Sequence, residues 1–245
     1  MPRFFVNKEN FEDNSIHILG ADAHHIARSL RMAEGDEITV CDGEGGEYRT
    51  RLTRIRDEEC IASIIEVCDP VSEPPMQITL CMAYPKGDKL ETVIQKAVEL
   101  GATRIIPFES SRCIKRPKAD KAEKQTARLK RIAEEAAKQC GRARIPEVTP
   151  PMSFKEMLLE ASGASIALFC YENEEGLSIK GAICDRDMPD SVSVIVGSEG
   201  GFSPEEAALA AEAGCISVSL GNRILRCETA PAYALSALSY EYELG

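Results

Sequence analysis

The sequence predicts an α/β protein in two parts: a small β-rich part, then a larger part built on a mostly parallel sheet covered on both faces by helices. Three observations predict this. Short strand-like runs and one helix fill residues 1–70. The segment DPVSEPP at 69–75 carries three prolines and no periodicity. After it, strands alternate with helices to the end of the chain. We therefore expect domains at 1–70 and 74–245.

The first part is predicted to be a small β-barrel with a basic outer side. Its helix falls in ADAHHIARSLRM, where apolar residues recur at helical spacing. The turn DGEGG supplies hairpin chemistry between the first two of three strand-like runs. Alternation along the second run predicts that Arg49, Arg51 and Ile55 share one face. The three runs are residues 37–41, 47–55 and 59–67.

The second part has the rhythm of a parallel α/β sheet, in which buried apolar strands alternate with helices. In KLETVIQKAVELG the apolar residues fall at helical spacing and Gly101 ends the helix. The predicted strands are residues 77–83, 103–108, 165–170, 191–196 and 215–220. Further helices are predicted at 118–140, a long and basic one, at about 204–213 and at 229–243.

Composition excludes several classes of protein. At 44% hydrophobic and 28% charged residues, the chain is typical of a soluble globular protein. No apolar run is long enough for a membrane span, and the first residues lack the layout of a secretory signal, so a cytoplasmic location is expected. The ten cysteines form no CxxC pair, which favours reduced, structural thiols.

Charge and histidine content narrow the chemistry further. The net charge of −11 argues against indiscriminate binding of nucleic acid, but local basic clusters permit an RNA partner. All three histidines, at positions 17, 24 and 25, lie near the N-terminus. A histidine triad or a histidine-rich metal site is therefore excluded from the rest of the chain, and no metal is expected. The basic clusters are residues 28–31, 49–56, 112–131 and 138–144.

The segment IVGSEGGFSPEE at 195–206 predicts a ligand site. A strand runs into a glycine-rich turn and then into a helix start marked by Ser203, Pro204 and Glu206. Glycines at the carboxyl end of a strand let a ligand approach the backbone closely. Glu199 would be unfavourable beside a phosphate but tolerable beside a neutral adenosine or a sulfonium cation. A tight turn without a ligand remains the alternative.

A second segment, LGNRILRCETAP at 220–231, repeats this arrangement. A strand ends in glycine and meets a helix near Thr229. Ile224 and Leu225 could form an apolar slot for an adenine ring, which would bring Arg226 and Glu228 near a reacting centre. A loop that packs on the core through salt bridges would explain the same residues.

Together, the two segments resemble the SPOUT (trefoil-knotted) methyltransferases, and the chain as a whole resembles the RsmE family. That family methylates uracil N3 at position 1498 of 16S ribosomal RNA. Two departures stand out: Ser198 where the family usually has proline, and Lys138 where a glutamate commonly precedes the glutamine. The motifs that carry the resemblance are HHIARSLRM, KGDKLETVIQKAVELGATRIIPF, KQCGRARIPEV, VGSEGGFS and LGNRILRCETA.

The resemblance implies a PUA-like N-terminal β-domain that holds RNA, a knotted α/β domain, and a homodimer with each active site near the subunit interface. It also implies S-adenosyl-L-methionine as the cofactor. The residues expected to bind the cofactor are Gly197, Glu199, Gly200, Gly201, Leu220, Gly221, Ile224, Leu225, Arg226 and Thr229.

Methylation at N3 requires an unpaired base and the removal of, or compensation for, the N3 proton. With no histidine available, we expect Arg226 to stabilise negative charge on a uracil carbonyl, and Glu228 to orient the base or to accept the proton, directly or through water. Cys227 is expected to take no part. The residues expected to contact RNA are Arg28, Arg31, Arg49, Arg51, Gln139, Arg142 and Arg144.

Three other functions stay open at this point. A related SPOUT enzyme could act on transfer RNA or another ribosomal site. An RNA-binding module without activity would keep the basic patches but would not need both glycine loops. A nucleotide-binding oxidoreductase is the weakest alternative, because neither loop has its glycine fingerprint. The modest, local basic charge suits the assembled small subunit as the substrate.

Overall fold

The computed structural model describes residues 1–114, 119–184 and 186–244, with side chains in the third helix from residue 122 onward. Residue 118, the predicted start of that helix, and part of the 112–131 basic cluster lie outside these ranges. The chain forms two compact units. One is Met1–Glu73 with Ala137–Ile145, and the other is Pro74–Ala136 with Pro146–Gly245. Nothing in the sequence predicted that residues 137–145 belong with the first unit.

The first unit is a curled, PUA-like six-stranded sheet in the order β1-β4-β5-β6-β3-β2. Strand β1 is parallel to β4, and the other neighbours are antiparallel. The three predicted strands are confirmed as β4, β5 and β6, whereas the sequence did not resolve β1, β2 and β3. The strands are β1 Arg3–Phe5, β2 Phe11–Glu12, β3 Ser15–Leu19, β4 Glu37–Cys41, β5 Glu47–Ile55 and β6 Glu59–Cys68.

Strand β5 shows where simple alternation fails. Thr50 and Leu52 point into the core, and Arg51 is exposed, as the alternation predicts. A register shift against β6 between Leu52 and Arg54 then inserts an irregularity that reverses the faces. Ile55 consequently packs against the core. The prediction that Ile55 shares the arginine face was wrong.

The predicted helix in the first unit is short and irregular. Helix α1, Gly20–His24, continues as a π-helical turn over His25–Ser29, and Ala23 and Ile26 anchor it to the core. The π-helical turn ends at Ser29, and Arg31 two residues later adopts a left-handed backbone conformation with φ of 51°. A single 3₁₀ turn, Lys8–Asn10, lies earlier in the chain.

The second unit is a parallel sheet in the order β10-β8-β7-β12-β11-β13, with β9 also paired to β8. Every residue of β11 is buried, so both faces of the sheet are covered. The α/β prediction is confirmed, and the threading of a knot stays a prediction. The strands are β7 Gln77–Ala83, β8 Arg104–Glu109, β9 Glu147–Val148, β10 Met152–Ser153, β11 Ile166–Cys170, β12 Ser191–Val196 and β13 Ile216–Val218.

In the part of the chain that the structure describes, six helices accompany this sheet, and four of them were predicted. Helix α4 was missed although Ser153 and Glu156 form a capping box, a signal that the sequence carries. Helix α5 is only five residues long. The helices are α2 Lys89–Glu99, α3 Ala119–Cys140, α4 Phe154–Ala161, α5 Ile179–Ile183, α6 Pro204–Glu212 and α7 Thr229–Tyr242.

Strand register brings four connecting segments to one edge of the sheet. Met82 at the end of β7 pairs with Val196 at the end of β12, which pairs with Cys170 at the end of β11. Cys170 in turn pairs with Val218 at the end of β13. Because parallel strands end together, the segments that follow β7, β12, β11 and β13 meet at the carboxyl edge.

Candidate active site

The glycine turn after β12 is held closely against its neighbours. The N–H of Gly201 donates to the carbonyl of Ser198 at 3.0 Å, and Gly201 has φ of 61°. A Cβ at Gly201 would overlap the Glu172 carboxylate, whose oxygen accepts the N–H of Phe202 at 3.2 Å. Glycine is therefore favoured here by its backbone conformation, and any side chain would also displace the Glu172 carboxylate.

The turn leads directly into a firmly fixed helix. Ser203 and Glu206 form the predicted capping box of α6, and Pro204 occupies its first turn. The buried Glu206 carboxylate also accepts the N–H of Ser111 at 2.7 Å and its hydroxyl at 2.9 Å. Through these bonds the loop after β8 supports the glycine turn.

The loop between β13 and α7 is mostly exposed. Gly221 has φ of 102°, and the N–H of Thr229 donates to the Arg226 carbonyl at 2.8 Å where α7 begins, as predicted. Ile224 is 98% exposed, an unusual state for a large apolar side chain. Leu225 beside it is half-buried. The loop thus presents an uncovered apolar surface at the carboxyl edge.

A cavity of about 750 Å³ lies at this edge, walled by the segments after β11, β12 and β13 and by Lys89 at the start of α2. This volume is within the range of small-molecule sites. Nine predicted cofactor residues line it: Gly197, Glu199, Gly200, Gly201, Leu220, Gly221, Ile224, Leu225 and Arg226. Thr229, also predicted, and Glu228, predicted as catalytic, are absent from the lining, which takes Cys227 and Ala230 instead.

The sequence did not predict all of the residues that line the cavity. The segment after β11 contributes Tyr171, Glu172, Glu174 and Glu175, and the same rule that singled out the other strand ends could have found it. Lys89 lies in the motif KGDKLETVIQKAVELGATRIIPF, but nothing in that motif placed it at the cavity, because a lysine at the start of a helix is common on exposed surfaces.

Lys89 joins the two predicted loops. Its ammonium lies 3.1 Å from a Glu199 carboxylate oxygen and 3.1 Å from a Glu228 carboxylate oxygen. Glu199 accepts a further bond from the main-chain N–H of Lys86 at 3.1 Å. Although Glu228 does not line the cavity, it therefore contacts a residue that does.

This network shifts the titration of its members. Hydrogen bonds to Glu199 and then to Glu228 raise the pKa of Lys89 well above its usual value. Burial alone would raise the pKa of Glu199, but bonds from its own N–H, from Lys89 and from Lys86 outweigh it and lower that pKa. The pKa of Glu228 is lowered by its own N–H, by Cys227 and by Lys89. Both carboxylates and the ammonium are thus charged at neutral pH.

Cys227 is buried between them. Its thiol donates to a Glu228 oxygen at 3.2 Å, and its sulfur lies 3.7 Å from the Lys89 ammonium. Burial, followed by the hydrogen bond to Glu228, raises the pKa of Cys227 to about 12. A thiol in this state is a poor nucleophile at neutral pH, which agrees with the expectation that Cys227 takes no part in the reaction.

The basic residues of the first unit differ in how they are held. Arg28 forms a bidentate pair with Asp57, Arg49 bonds Glu66 at 2.8 Å, and Arg51 bonds Glu37 at 2.8 Å. Arg31 and Gln139 are exposed. Among the residues that the structure describes, Arg31 enters no ion pair.

The prediction that Arg142 contacts RNA was wrong. Its guanidinium is only 2% exposed and bonds the Glu73 carboxylate at 2.7 Å. Glu73 also accepts the N–H groups of Ala143 and Arg144 at 2.9 and 3.0 Å. Arg142 is thus a buried structural residue and cannot present its charge to RNA, whereas the Arg144 side chain is exposed.

The described residues form neither a metal cluster nor a membrane-spanning helix. Within residues 1–114, 119–184 and 186–244, no group of three histidine, cysteine or acidic side chains is placed to hold a metal ion. No helix in these ranges is long and apolar enough to cross a membrane. The ten cysteines lie in the same ranges and form no disulfide there.

Fold and cavity together define an α/β protein with a ligand site at the carboxyl edge of a parallel sheet, joined to a PUA-like unit. The family model described as the RNA methyltransferase domain matches residues 72–239, and that of the RNA methyltransferase PUA domain matches residues 18–65. The chain belongs to this RNA methyltransferase family.

Individual relatives agree with the family. The chain is 35% identical to the ribosomal RNA small subunit methyltransferase E of Bacillus subtilis, over all of this chain and 98% of that protein. A Neisseria gonorrhoeae structure of the same name, bound to S-adenosyl methionine, is 32% identical with a TM-score of 0.85, covering 98% and 97% of the two chains. A Legionella pneumophila structure with bound cofactor is 30% identical with a TM-score of 0.84, covering 97% and 96%.

These matches confirm that the chain is a methyltransferase of the predicted family. They also agree with the prediction of S-adenosyl-L-methionine as the cofactor, since two solved relatives hold it. The roles of individual residues stay predictions.

Proposed function

We propose that this protein transfers a methyl group from S-adenosyl-L-methionine to N3 of uridine 1498 in 16S ribosomal RNA of the small subunit. The observation that carries the proposal is the 750 Å³ cavity formed by both predicted loops at the carboxyl edge. The names of the relatives support the ribosomal substrate. Action on the ribosome favours a cytoplasmic location.

The residues of the cavity fit this cofactor. Gly197, Gly200 and Gly201 keep the turn free of side chains, so a ligand can reach the backbone. The exposed side chain of Ile224, with Leu225, offers an apolar surface for an adenine ring. Glu199 supplies a negative charge that is compatible with a sulfonium but not with a phosphate. When bound, the cofactor would supply the electrophilic methyl group.

Protein groups around the acceptor base would manage its charge. Arg226 lines the cavity, so its guanidinium can stabilise negative charge that develops on a uracil carbonyl when the N3 proton leaves. Glu228 contacts Lys89 and Cys227 and does not line the cavity. We therefore assign it proton acceptance through water rather than direct contact with the base. The remaining task of the enzyme is to position donor and acceptor in line.

For RNA contact we propose Arg28, Arg31, Arg49, Arg51, Gln139 and Arg144, without the buried Arg142. Exposed ion pairs such as Arg49–Glu66 are weak, so a phosphate can compete with the carboxylate for the arginine. The modest number of such groups suits a substrate with additional contacts, and we propose the assembled small subunit.

A second copy of the chain is the proposed partner of α7. Tyr233 and Tyr240 are 43% and 73% exposed and lie seven residues apart, on one face of the helix. Because α7 starts directly after the Arg226 loop, a homodimer through this face would bring the partner near the cavity. Sedimentation of the wild type and of Tyr240→Asp tests this; a wild-type monomer would contradict it.

Arg226→Ala tests the proposed function. We expect single-turnover methylation of small-subunit RNA to fall about 100-fold or more, with affinity for S-adenosylhomocysteine nearly unchanged. Arg131→Ala, which removes an exposed arginine on α3, is the matched control and should leave the rate unaltered. A near-normal rate for Arg226→Ala would overturn its role.

The substrate needs a separate measurement. Mass spectrometry of small-subunit RNA from a deletion strain should show loss of one N3-methyluridine, restored by the wild-type gene. Intact modification would favour a related enzyme acting on another RNA. If the purified protein fails to bind S-adenosylhomocysteine in calorimetry, only an RNA-binding module without activity remains.

A further inference from the structure

We infer that Lys89 is a positioning residue: its ammonium ties the glycine turn to the Arg226 loop and fixes the Glu228 carboxylate beside the cavity. The inference rests on the proposed function in so far as Glu228 serves the reaction. It concerns a residue outside the two C-terminal loops that predicted the site.

The geometry of the ammonium supports this. Lys89 follows β7, Glu199 follows β12 and Glu228 follows β13, so three separate connections converge on one nitrogen atom. An ammonium group has three donors, and the third direction is taken by the Cys227 sulfur at 3.7 Å. The Lys89 side chain is 32% exposed, so solvent screens the contacts only in part.

The two carboxylates depend on Lys89 to different degrees. Glu199 keeps the N–H of Lys86 when the lysine side chain is removed. Glu228 would keep only the Cys227 thiol and its own main-chain N–H. Loss of the ammonium should therefore disturb Glu228 more than the cofactor turn. This asymmetry predicts a larger effect on the chemical step than on cofactor affinity.

The charges around Lys89 support the same positioning role. Without Lys89, two carboxylates from neighbouring loops would face each other near a thiol that itself cannot ionise readily. The groups that face Lys89 are Glu199 from the glycine turn, and Glu228 and Cys227 from the other loop. Since Lys89 lowers the pKa of Glu228, its removal should raise that pKa and move the acid limb of the rate profile to higher pH.

The test compares Lys89→Met with Lys89→Arg and with Lys96→Met. Lys96 lies seven residues further along α2 and pairs with Glu99, away from the cavity, so it controls for the loss of one lysine charge. We expect Lys89→Met to lower the single-turnover rate about tenfold, equal to about 1.4 kcal/mol, with less than about threefold loss in S-adenosylhomocysteine affinity. Lys89→Arg should restore most of the rate.

A double-mutant cycle with Glu228→Gln separates positioning from general damage. If Lys89 acts through Glu228, Lys89→Met should have little effect on the rate once Glu228 is neutral. Additive losses, or an acid limb that does not move in Lys89→Met, would overturn the inference. So would a rate equal to that of Lys96→Met.

Failure of the proposed function is distinguishable from failure of this inference. A wild-type protein that neither binds S-adenosylhomocysteine nor methylates RNA would overturn the function alone. The same cycle, measured by urea unfolding, would still report whether Lys89 and Glu228 interact, and zero coupling there would overturn the bridge. If Lys89→Met proves too unstable to assay, a Lys89→Arg variant with unrestored rate and pH profile contradicts the inference equally.

Discussion

Ser198 carries a buried hydroxyl without a hydrogen-bond partner among the described residues. It sits in the glycine turn, where related sequences of the resembled family usually have proline. An unsatisfied buried polar atom costs free energy because water solvated it in the unfolded chain. The hydroxyl thus destabilises the turn that shapes the cavity, and its Oγ is too enclosed to meet solvent in the cavity directly.

Replacing this serine should stabilise the protein. We expect Ser198→Ala to raise the free energy of unfolding by about 1 kcal/mol, because the desolvated hydroxyl is removed and little volume is lost. Urea unfolding followed by circular dichroism measures it. Ser203→Ala is the matched control: this hydroxyl caps α6, so the same deletion should lower stability by about 1 kcal/mol. A destabilised Ser198→Ala would mean that the hydroxyl has an ordered water as its partner.

At the scale of elements, the turn from α1 into the strands exposes a basic end. Arg31 follows the C-cap of the π-helical segment in a left-handed conformation that is rare for a residue with a side chain. Backbone strain at an exposed arginine fits a residue retained for binding rather than for folding. Arg28, three residues earlier, sits inside the helical turn and already has Asp57 as a partner.

Substitution by glycine at these two positions should therefore affect the free energy of unfolding differently. We expect Arg31→Gly to leave the free energy of unfolding within about 1 kcal/mol of wild type, since glycine adopts this conformation without strain. Arg28→Gly should cost about 1 kcal/mol or more, since the helical interior disfavours glycine. Affinity for small-subunit RNA, measured over a range of salt, should fall in Arg31→Gly and its salt slope should decrease by about one. An unchanged slope would remove Arg31 from the RNA surface.

Periodicity explains which elements the sequence could predict. Strand β11 is a continuous apolar run, β7 and β12 are largely apolar, and α2 has apolar residues at helical spacing, so these elements follow from local pattern alone. Strands β9 and β10 are only two residues long and are separated by Pro150 and Pro151, which leaves no pattern to detect. The bulge in β5 is set by its partner strand, so the face of Ile55 could not be read from β5.

Local sequence pattern also explains which residues of the candidate site could be predicted. Gly197, Glu199 and Arg226 could be found because each belongs to a loop with an unusual composition at a strand end. Lys89 and Arg142 could not, because their roles depend on partners far along the chain: Glu199 and Glu228 for one, Glu73 for the other. Only the fold brings such charges together.

For the whole molecule, the return of residues 137–145 to the first unit is the feature with the widest effect. Arg142 and Glu73 form the ion pair that connects this segment to the end of the N-terminal stretch of the same unit. Ile145 donates its N–H to the Gly43 carbonyl at 3.1 Å, which joins the same segment to the β4–β5 hairpin. The first unit is thus assembled from two stretches of chain.

Breaking the ion pair should be costly, and neutralising both partners should cost less. We expect Arg142→Met to lower the free energy of unfolding by about 3 kcal/mol, because it leaves the Glu73 carboxylate buried without its cation. Arg142→Met with Glu73→Gln should recover part of this loss, because the neutral amide oxygen can still accept the N–H groups of Ala143 and Arg144. Equal losses in the single and double variants would contradict the prediction. Urea unfolding at neutral pH measures both.

The same pair gives a pH dependence with a definite sign. Burial opposes ionisation of Glu73, but the hydrogen bond and charge of Arg142 and two main-chain N–H groups outweigh it and lower its pKa. A lowered carboxyl pKa contributes stability above the ordinary carboxyl pKa, and that contribution is lost as pH falls through the folded-state value. As pH falls below the ordinary carboxyl value of about 4 and through the folded-state value, the wild type should therefore lose stability and approach a Glu73→Gln variant, because Arg142 keeps its charge.

Synthesis on the ribosome proceeds from the N-terminus, so the two stretches of the first unit emerge far apart in time. While residues 74–136 are being synthesised, Glu73 has no ion pair with Arg142, and the Gly43 carbonyl has no hydrogen bond from Ile145. The RNA-holding unit is the first to begin folding but cannot finish until residue 145 has left the exit tunnel. Its completion is thus delayed until part of the methyltransferase unit already exists, which links the folding of the two units in time.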